Sequence, residues 1–318
     1  MPDPERMEPE LLHRILKPQT TQDLVVARPL ALNVGLSDRD LFKLQFRGWH
    51  RVSRGVRITK PAREATVLEL AAATSRLSGG RAVASHLTAA LIHGFEVVTG
   101  MPGVRDGQPT DLHLHVTVSS ANGVRYPPDV KVHRTNLERG EVMLIESVPV
   151  TTPARTAADL LLTQPRTLAI AALEQGLQKG ILTLDDLALL PGMMRCRPGA
   201  QRGKDWLKLV TPGTGSPLET LSRLRFAEFG LVPSRIQPVI LDEWGRFVAR
   251  SDFEFTNGAR KVLGEADGKS IHDLPEARYA DREREDALRQ LGFEVVRWVW
   301  FDVVNDLDAL VVRIRRWL

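Results

Sequence analysis

Apolar residues recur with a helical period in some stretches of the chain and alternate with polar residues in others. Helical spacing predicts amphipathic helices in EATVLELAAATSRL, AVASHLTAALIHG, TPARTAADLLL, RTLAIAALEQGLQKG and LTLDDLALL, all between residues 61 and 190. Strict alternation in DLHLHVTVS predicts a half-buried strand, and the runs VKVHRTNL and VMLIESVPVT predict further strands. We therefore expect a mixed α+β domain in the middle of the chain.

The segment before it, GLSDRDLFKLQFRGWHRVSRGVRI, predicts a helix followed by a β-hairpin. Ser37 is placed to cap the helix, Asp40 has the position of the acid in a capping box, and Gly48 ends the helix. Pro18 and Pro29 are expected to break the helices that should precede it.

A helix with a basic face and a basic hairpin is the arrangement of recognition helix and wing in winged helix-turn-helix domains. The alternative is a solvated basic helix without a partner. The side chains expected to contact DNA are Arg39, Lys43, Arg47, Arg51, Arg54 and Arg57.

From Ser216 onward the pattern changes to helix, three strands, helix, strand and helix. SPLETLSRLRFAEFG and EARYADREREDALRQLG have helical spacing, and the turn signals DEWGR and TNGAR divide the stretch between them into strands. FEVVRWVWF predicts one more strand and DLDALVVRIRRWL a closing helix. The order αβββαβα is that of the restriction-endonuclease-like fold.

Two stretches rich in glycine, proline and small residues, LPGMMRCRPGAQRG and TPGTGSP, predict linkers. We expect a winged helix-turn-helix at 1–60, an α+β domain at 61–200, a linker at 201–215 and a restriction-endonuclease-like domain at 216–318. The predicted fold class is mixed α/β with several domains. The first residues are no signal peptide and no apolar run is long enough for a membrane helix, so we expect a cytoplasmic protein without a membrane partner.

Charge is distributed unevenly along the 318 residues, whose 43 Lys and Arg and 39 Asp and Glu give a net charge of +4. Residues 216–318 hold 16 basic and 18 acidic residues, whereas residues 35–63 alone hold eight basic and two acidic ones. Such a basic stretch favours a polyanionic partner.

Four charged residues fall close together in the strand-like stretch RSDFEFTNGARKVLGEADGK: Asp252, Glu265, Asp267 and Lys269. Neighbouring strands lie roughly 5 Å apart, so a tight turn can bring Asp252 and Glu265 together. Like carboxylates repel unless a hard cation lies between them, and Mg²⁺ takes oxygen ligands. Neutralising either acid should therefore relieve a repulsion when no metal is bound. The alternative is ordinary turn and ion-pair contacts, with Arg250 and Arg260 as available partners.

Five pieces of residues 30–190 resemble, in their order, the AbiEi-type antitoxin family of transcriptional regulators. They are GLSDRDLFKLQFRGWHRVSRGVRI, SHLTAALIHG, VHRTNL, VPVTTPARTAADLL and ILTLDDL. The resemblance implies a winged helix followed by an αβ domain and binding to double-stranded DNA. It also allows a cognate toxin protein as a partner.

Pieces of residues 216–318 resemble the PD-(D/E)xK nuclease superfamily and, within it, the small domains related to very-short-patch repair endonucleases. They are SPLE, RFVARSDFEF, EADGK, His272 and ADREREDALRQLGFEVVRW. The resemblance implies that Asp252 and Glu265 bind Mg²⁺ or Mn²⁺ and that Glu219 is the acid of the first helix. In this family an Asp-x-x-Arg pair, here Asp281 and Arg284, packs over the site.

Asp267 stands where the general pattern of the superfamily has lysine. Lys269 or His272 would then transfer a proton or stabilise charge. The catalytic residues implied by the resemblance are Glu219, Asp252, Glu265, Asp267, Lys269 and His272.

The two resemblances together imply a DNA-binding protein with a Mg²⁺-dependent endonuclease domain, acting in DNA repair or in defence against phage and mobile elements. The alternative is a non-enzymatic antitoxin or transcriptional regulator whose nuclease-fold domain only binds DNA or a partner. A third hypothesis is an interaction protein with a relic nuclease domain.

His113 and His115 share one face of the strand DLHLHVTVS and could bind a metal, although no third ligand is apparent nearby. His86 and His93 lie near the apolar side of a helix and are expected to be satisfied core residues. Arg155, in the first turn of its helix, is expected to be structural.

Overall fold

The computed structural model describes residues 24–33, 35–46, 48–53, 55–95, 104–105, 108–109, 113–119, 123–258, 260–268 and 275–318. For residues 104–105, 108–109 and 275–281 it describes the backbone only. The chain forms two compact units. The described residues within 1–95, 111–160 and 189–195 form the first unit, and those within 96–110, 161–188 and 196–318 form the second.

The first unit begins with short helices and a three-stranded antiparallel sheet of order β1-β3-β2. These elements are β1 (Val25–Ala27), α1 (Arg28–Asn33), α2 (Asp38–Phe46), β2 (His50–Arg51) and β3 (Val56–Ile58). The predicted capping box is confirmed, because the Ser37 amide donates to Asp40 Oδ2 at 2.9 Å and the Asp40 amide donates to Ser37 Oγ at 3.2 Å. Pro29 lies in the first turn of α1, where it removes no helical hydrogen bond, so the break predicted there is wrong. Pro18 lies outside the described residues.

A five-stranded mixed sheet of order β8-β7-β4-β10-β9 follows in the first unit. The elements of this part of the chain are α3 (Val67–Leu77), β4 (Val83–Ala84), α4 (His86–His93), β5 (Val104–Arg105), β6 (Gln108–Pro109), β7 (Leu114–Val118), β8 (Val130–Arg134), β9 (Val142–Ile145), β10 (Val148–Thr151) and α5 (Pro153–Thr163). Of these, β5 and β6 pair with each other and belong to the second unit. The buried alanines of α3 and α4 pack with Val148 and Val150, so small side chains let the helices approach the sheet closely. The helix predicted in AVASHLTAALIHG is shorter than expected, since its first residues form β4.

Helices occupy part of the first predicted linker. The helices predicted at α6 (Arg166–Gln178) and α7 (Leu184–Met193) are present, and α7 extends into that linker. A further helix, α8 (Ala200–Leu207), begins within the same linker and continues beyond it. α8 starts after Gly199, whose φ of +84° suits glycine, and Arg202 packs over the ring of Trp206 at 4.7 Å. The eight residues of α8 form about two turns of helix.

Residues 166–178 belong with the C-terminal strands, which differs from the predicted boundaries at 200 and 216. The buried carboxylate of Glu174 explains the grouping. It accepts hydrogen bonds from the Thr211 amide, from the Thr220 hydroxyl and from Arg223. Burial raises the pKa of Glu174, and these donors counter that shift. A buried carboxylate with three donors is costly to separate from them, so α6 stays fixed to the helix that carries Thr220 and Arg223.

Residues 216–318 keep the predicted succession of helix, strands, helix, strand and helix, but five strands stand where three were predicted and the closing helix is divided in two. Their elements are α9 (Pro217–Glu228), β11 (Arg235–Ile236), β12 (Val239–Leu241), β13 (Phe247–Arg250), β14 (Phe253–Asn257), β15 (Arg260–Ala266), α10 (Pro275–Gln290), β16 (Phe293–Trp298), α11 (Trp300–Asn305) and α12 (Leu307–Arg315). The main sheet has the order β11-β14-β15-β16, and β12 and β13 form a separate antiparallel pair. β15 and β16 run parallel, as the intervening helix requires.

The aromatic rings of Phe226, Phe253, Phe255 and Trp298 form the centre of this core. Phe226 meets the other three edge-on, and Trp298 stacks on Phe253 at 5.7 Å. The described residues thus form a mixed α/β structure. Among them, no helix combines the length and the apolar character that crossing a bilayer requires.

Candidate functional site

A cavity of about 270 Å³ lies among the strand ends of the second unit. It is lined by Arg250, Asp252, Glu265, Ala266, Asp267, Arg284 and Arg297. β13 ends at Arg250, β15 ends at Ala266, and Asp252 lies in the bend between β13 and β14. Three of the predicted site acids therefore line one cavity, together with three arginines.

Asp252 is fixed by hydrogen bonds to both of its carboxylate oxygens. The Ala266 amide donates to Oδ2 at 2.7 Å, and Gln237 Nε2 donates to Oδ1 at 2.9 Å. The same Gln237 nitrogen donates to Glu219 Oε2 at 2.7 Å. Because only the nitrogen of the amide can donate, two carboxylate neighbours determine the orientation of the Gln237 side chain. One amide group thus holds two carboxylates together.

Glu219 reaches this position from the first turn of α9. Ser216 caps the helix, its hydroxyl accepting from the Glu219 amide at 3.2 Å, and the Gly215 amide donates to Glu219 Oε2 at 2.8 Å. The helix start therefore orders both the backbone and the carboxylate of Glu219. This residue is buried, as is the strand core beside it.

The environment of Asp252 disfavours its charged form. Burial and, to a smaller extent, the nearby carboxylates of Glu219 and Glu265 raise the pKa of Asp252 from 3.8 to about 6. The Ala266 amide and the Gln237 side chain act in the opposite direction but do not cancel the shift. The electrostatic environment of Asp252 therefore disfavours its ionised form, and a bound cation would reverse this effect.

Glu265, in contrast, is surrounded by positive charge. Arg284 Nη2 donates to both of its oxygens at 3.0 Å, and Arg297 Nε donates to Oε2 at 2.8 Å. The parallel register of β15 and β16 sets Glu265 directly beside Arg297. The ion-pair partners expected from the sequence, Arg250 and Arg260, are not the ones that Glu265 uses. Two guanidinium groups neutralise this carboxylate without a metal ion.

Gly264 allows β15 to pack closely against Trp298 in the core. A β-carbon at this residue would lie 2.5 Å from Cη2 of Trp298 and 3.2 Å from the ring of Phe255, so only glycine fits beneath the indole. Trp298 in turn donates from Nε1 to Ser222 Oγ at 2.7 Å, on the same helix as Glu219. The indole therefore links the strand that carries Glu265 to the helix that carries Glu219.

The remaining predicted residues differ in how far the structure describes them. The Asp267 amide donates to the Trp298 carbonyl at 2.8 Å, which keeps Asp267 at the cavity just beyond the end of β15. Lys269 and His272 lie outside the described residues. So does the side chain of Asp281, which the resemblance pairs with Arg284.

Sequence reasoning missed Gln237 and Arg297. Gln237 lies between two short strands, before Pro238, with a φ of +49° that no local motif announces. Arg297 could have been found only by assuming that β16 runs parallel to β15 and in which register. Both contributions depend on pairing between residues distant in the chain.

The basic segment of the first unit has the predicted exposed helix. Leu41 and Leu44 of α2 are buried, and Arg39 and Lys43 are exposed on the same helix. Arg51 is exposed on β2. Arg47 and Arg54 lie outside the described residues.

Arg57 is the exception among the predicted DNA-binding residues. It lies on β3, the central strand of its sheet, and only 6% of its surface is exposed. Burial and the nearby Arg51 lower its pKa. A guanidinium in this position does not face solvent, so the expectation that Arg57 contacts DNA directly is not supported by its placement.

Comparison with other proteins gives distant relatives of unassigned role. No family model matches the chain. The chain is 26% identical over 263 residues to "Uncharacterized protein MT2308" of Mycobacterium tuberculosis strain CDC 1551 / Oshkosh, which covers 81% of this chain and 89% of that protein. The figures are the same for "Uncharacterized protein Rv2248" of Mycobacterium tuberculosis strain ATCC 25618 / H37Rv. The likeness extends over both units.

Proposed function

We propose that the protein binds double-stranded DNA and hydrolyses phosphodiester bonds with Mg²⁺ or Mn²⁺ at the cavity of Asp252 and Glu265. The observation that carries the proposal is the pair of clustered acids, Asp252 and Glu219, held together by one Gln237 amide at a cost in electrostatic energy. A fold does not hold like charges together in a buried bend without compensation, and a divalent cation is one such compensation.

The donor set fits a hard divalent cation. Asp252 offers carboxylate oxygens that are partly buried, Glu265 lies on the same cavity, and Glu219 is close enough to raise the pKa of Asp252. Mg²⁺ binds through one or two carboxylates and keeps the rest of its coordination for phosphate oxygens and solvent. The ion would be held by Asp252 and Glu265, and it would supply positive charge at the phosphodiester.

The side chains around the cavity would orient the substrate. Arg250, Arg284 and Arg297 line the same space as the acids, and guanidinium groups bind phosphate oxygens through two parallel donors. Gln237 donates to both Asp252 and Glu219 and would keep the two carboxylates in place when Asp252 ionises to bind the ion. Asp267 stands in the position of the usual lysine and carries no positive charge. The arginines would therefore stabilise the negative charge that develops on the phosphate.

In the first unit, Arg39, Lys43 and Arg51 would hold the DNA backbone. α1 and α2 with the three-stranded sheet have the order expected of a winged helix-turn-helix, in which the second helix enters the major groove. We propose that α2 has this role. The exposed basic side chains would contribute the phosphate contacts.

The second candidate is a regulator that binds DNA or a protein partner without cutting. One observation favours it: Glu265 already has two arginine partners, so a metal ion must compete with Arg284 and Arg297 for this carboxylate. In that case the cavity would bind a phosphate through its arginines. A cognate toxin would be a candidate protein partner.

A cleavage assay separates the two candidates. The full chain is incubated with linear, nicked, mismatched and branched duplexes, with Mg²⁺, Mn²⁺ or a chelator. We expect metal-dependent cutting by the wild type and none by Asp252→Asn. The control is Asp308→Asn, the same chemical change at an exposed residue of the same unit, which should cut normally. A wild type that is stabilised by metal but cuts no DNA form would favour the regulator, and cutting by Asp252→Asn would reject the proposed site.

A further inference from the structure

Three histidines from three elements meet in the first unit. His86 begins α4, His115 lies in β7 and His133 lies in the neighbouring parallel strand β8. One ring nitrogen from each of the three lies within 4.8 Å of the other two. The sequence suggested His113 together with His115, but His113 is exposed. The partners of His115 are instead His86, 29 positions before it, and His133, 18 positions after it.

Two of the ring nitrogens are already near the spacing of metal ligands. His115 Nδ1 and His133 Nε2 are 3.1 Å apart, and the rings of His86 and His133 stack at 3.5 Å between centroids. Nitrogen ligands of a tetrahedral ion lie about 3.4 Å apart, from bond lengths of about 2.0–2.1 Å. The ring of His86 would have to turn out of its stack on His133 to direct a nitrogen at an ion held by His115 and His133. His86 and His115 are each only 1% exposed, so the group is a built part of the interior.

The surroundings of His86 have two features of a metal site. Its Nδ1 lies 2.9 Å from Ser85 Oγ and 3.8 Å from Asp159 Oδ2, the kind of outer partners that orient a ligating imidazole through its second nitrogen. Thr117 donates to the same Ser85 hydroxyl at 2.8 Å. His86 also has a φ of +52°, a conformation that costs about 1–2 kcal/mol for a non-glycine residue. Such strain is characteristic of functional positions.

A buried chain of ion pairs lies behind the histidines. Arg155 lies between two carboxylates, with Nη1 2.6 Å from Glu141 Oε2 and Nε 3.0 Å from Asp159 Oδ1. Asp159 joins this chain to His86. Arg155 is thus structural, as its sequence position predicts, but through Asp159 it also supports the histidine group.

We propose that His86, His115 and His133 bind one divalent ion of the zinc class, with Asp159 positioning His86. Imidazole nitrogen suits Zn²⁺, Co²⁺ or Ni²⁺, whereas Mg²⁺ prefers oxygen, so this site and the carboxylate cavity select different metals. Three protein ligands leave a fourth position for a small ligand. An ion here would join α4 to β7 and β8 and would stabilise the first unit.

The test uses the full chain with Cys196→Ser and Asp252→Asn, which removes the exposed thiol and a carboxylate of the other cavity. After chelation and dialysis, Zn²⁺ and Co²⁺ are titrated by calorimetry and absorbance. We expect one ion per chain, the strong visible absorption of tetrahedral Co²⁺, and a rise in melting temperature. Mg²⁺ should cause none of these. His133→Asn should abolish binding, while the matched control His113→Asn should bind normally, and Asp159→Asn should bind roughly 10–100-fold more weakly.

A ligand exchange covers the case in which His133→Asn does not fold. His133→Cys keeps a ligand and should restore the fold with metal, adding a charge-transfer band from sulfur to Co²⁺. A folded wild type that binds no Zn²⁺ would overturn the proposal, as would equal binding by His133→Asn. A Co²⁺ complex of His133→Cys without the sulfur band would overturn it too, leaving the histidines as a hydrogen-bonded core group.

Discussion

Asp252 and Glu265, two of the acids that line the cavity, should respond in opposite ways to neutralisation when no metal is present. Asp252→Asn removes a carboxylate whose pKa is raised from 3.8 to about 6. Two pKa units correspond to roughly 3 kcal/mol of unfavourable free energy in the folded state. Asparagine gives up one accepted hydrogen bond, which costs about 1 kcal/mol. We therefore expect Asp252→Asn to be about 2 kcal/mol more stable than the wild type at pH 8.

The pH dependence follows from the direction of the shift. A raised pKa means that the folded chain binds the proton more tightly than the unfolded chain, so this contribution to stability is complete below about pH 4. It is lost as the pH rises through about 6, the folded-state pKa of Asp252. Asp252→Asn cannot lose it. The difference between the two proteins should therefore be small at pH 4 and largest above pH 6.

Glu265→Gln should instead destabilise the chain, by about 1.5–3 kcal/mol, because charged hydrogen bonds to Arg284 and Arg297 are lost. The sequence alone predicts that neutralising either acid relieves a repulsion, and the two arginines reverse the sign for Glu265.

Thermal melts of the wild type, both variants and Asp308→Asn, from pH 4 to 8 with chelator, measure these differences. A gain of about 2 kcal/mol corresponds to a rise of roughly 4–8 °C for a unit of 150–250 residues. Adding Mg²⁺ should raise the melting temperature of the wild type and leave Asp252→Asn unchanged. If Asp252→Asn melts no higher than the wild type at pH 8, Asp252 is not held in an unfavourable environment and the electrostatic argument for a cation fails.

Three further outcomes are expected. Replacing Arg39 and Lys43 by alanine should lower the slope of log affinity against log salt by about 2 for duplex DNA, because two phosphate contacts are lost, and gel shifts at several salt concentrations measure it. Arg155→Ala should cost about 3–5 kcal/mol, because it leaves buried carboxylates uncompensated, while DNA affinity per folded molecule stays unchanged in denaturant melts and gel shifts. Gln237→Leu should move the pH-dependent loss of stability to higher pH, because Asp252 loses a donor that lowers its pKa; an unchanged melting profile would exclude that role.

Local patterns in the sequence were sufficient for most elements. The capping box of Ser37 and Asp40 and the alternation around His115 concern residues a few positions apart, and the structure confirms the helix start and the strand. The strand is not half-buried as predicted, because both of its faces are covered and His115 and Thr117 are buried as well. The helix start at Ser216, with Pro217 in the first turn, is equally local. Such signals do not depend on which distant segment packs alongside.

Contacts between distant residues were beyond these patterns. That Asp252 and Glu265 line one cavity followed from the expected strand order, but the pairing of Glu265 with Arg297 depends on a parallel register. The burial of Arg57 depends on which of three strands is central. Predicting the histidine group would have required the register of β7 and β8 and the position at which α4 begins. The pair His113 and His115, which the sequence suggested, was therefore a misleading signal.

The contact between Gly264 and Trp298 restricts how the sequence can change over time. A β-carbon 2.5 Å from the indole cannot be accommodated by either residue alone. A larger residue at 264 becomes acceptable only when the tryptophan is exchanged for something smaller in the same variant. In a library randomised at 264 alone, selection for folding should return glycine. In a library randomised at 264 and 298 together, new pairs should emerge, and each pair would reset the distance between the acid of β15 and the helix of Glu219.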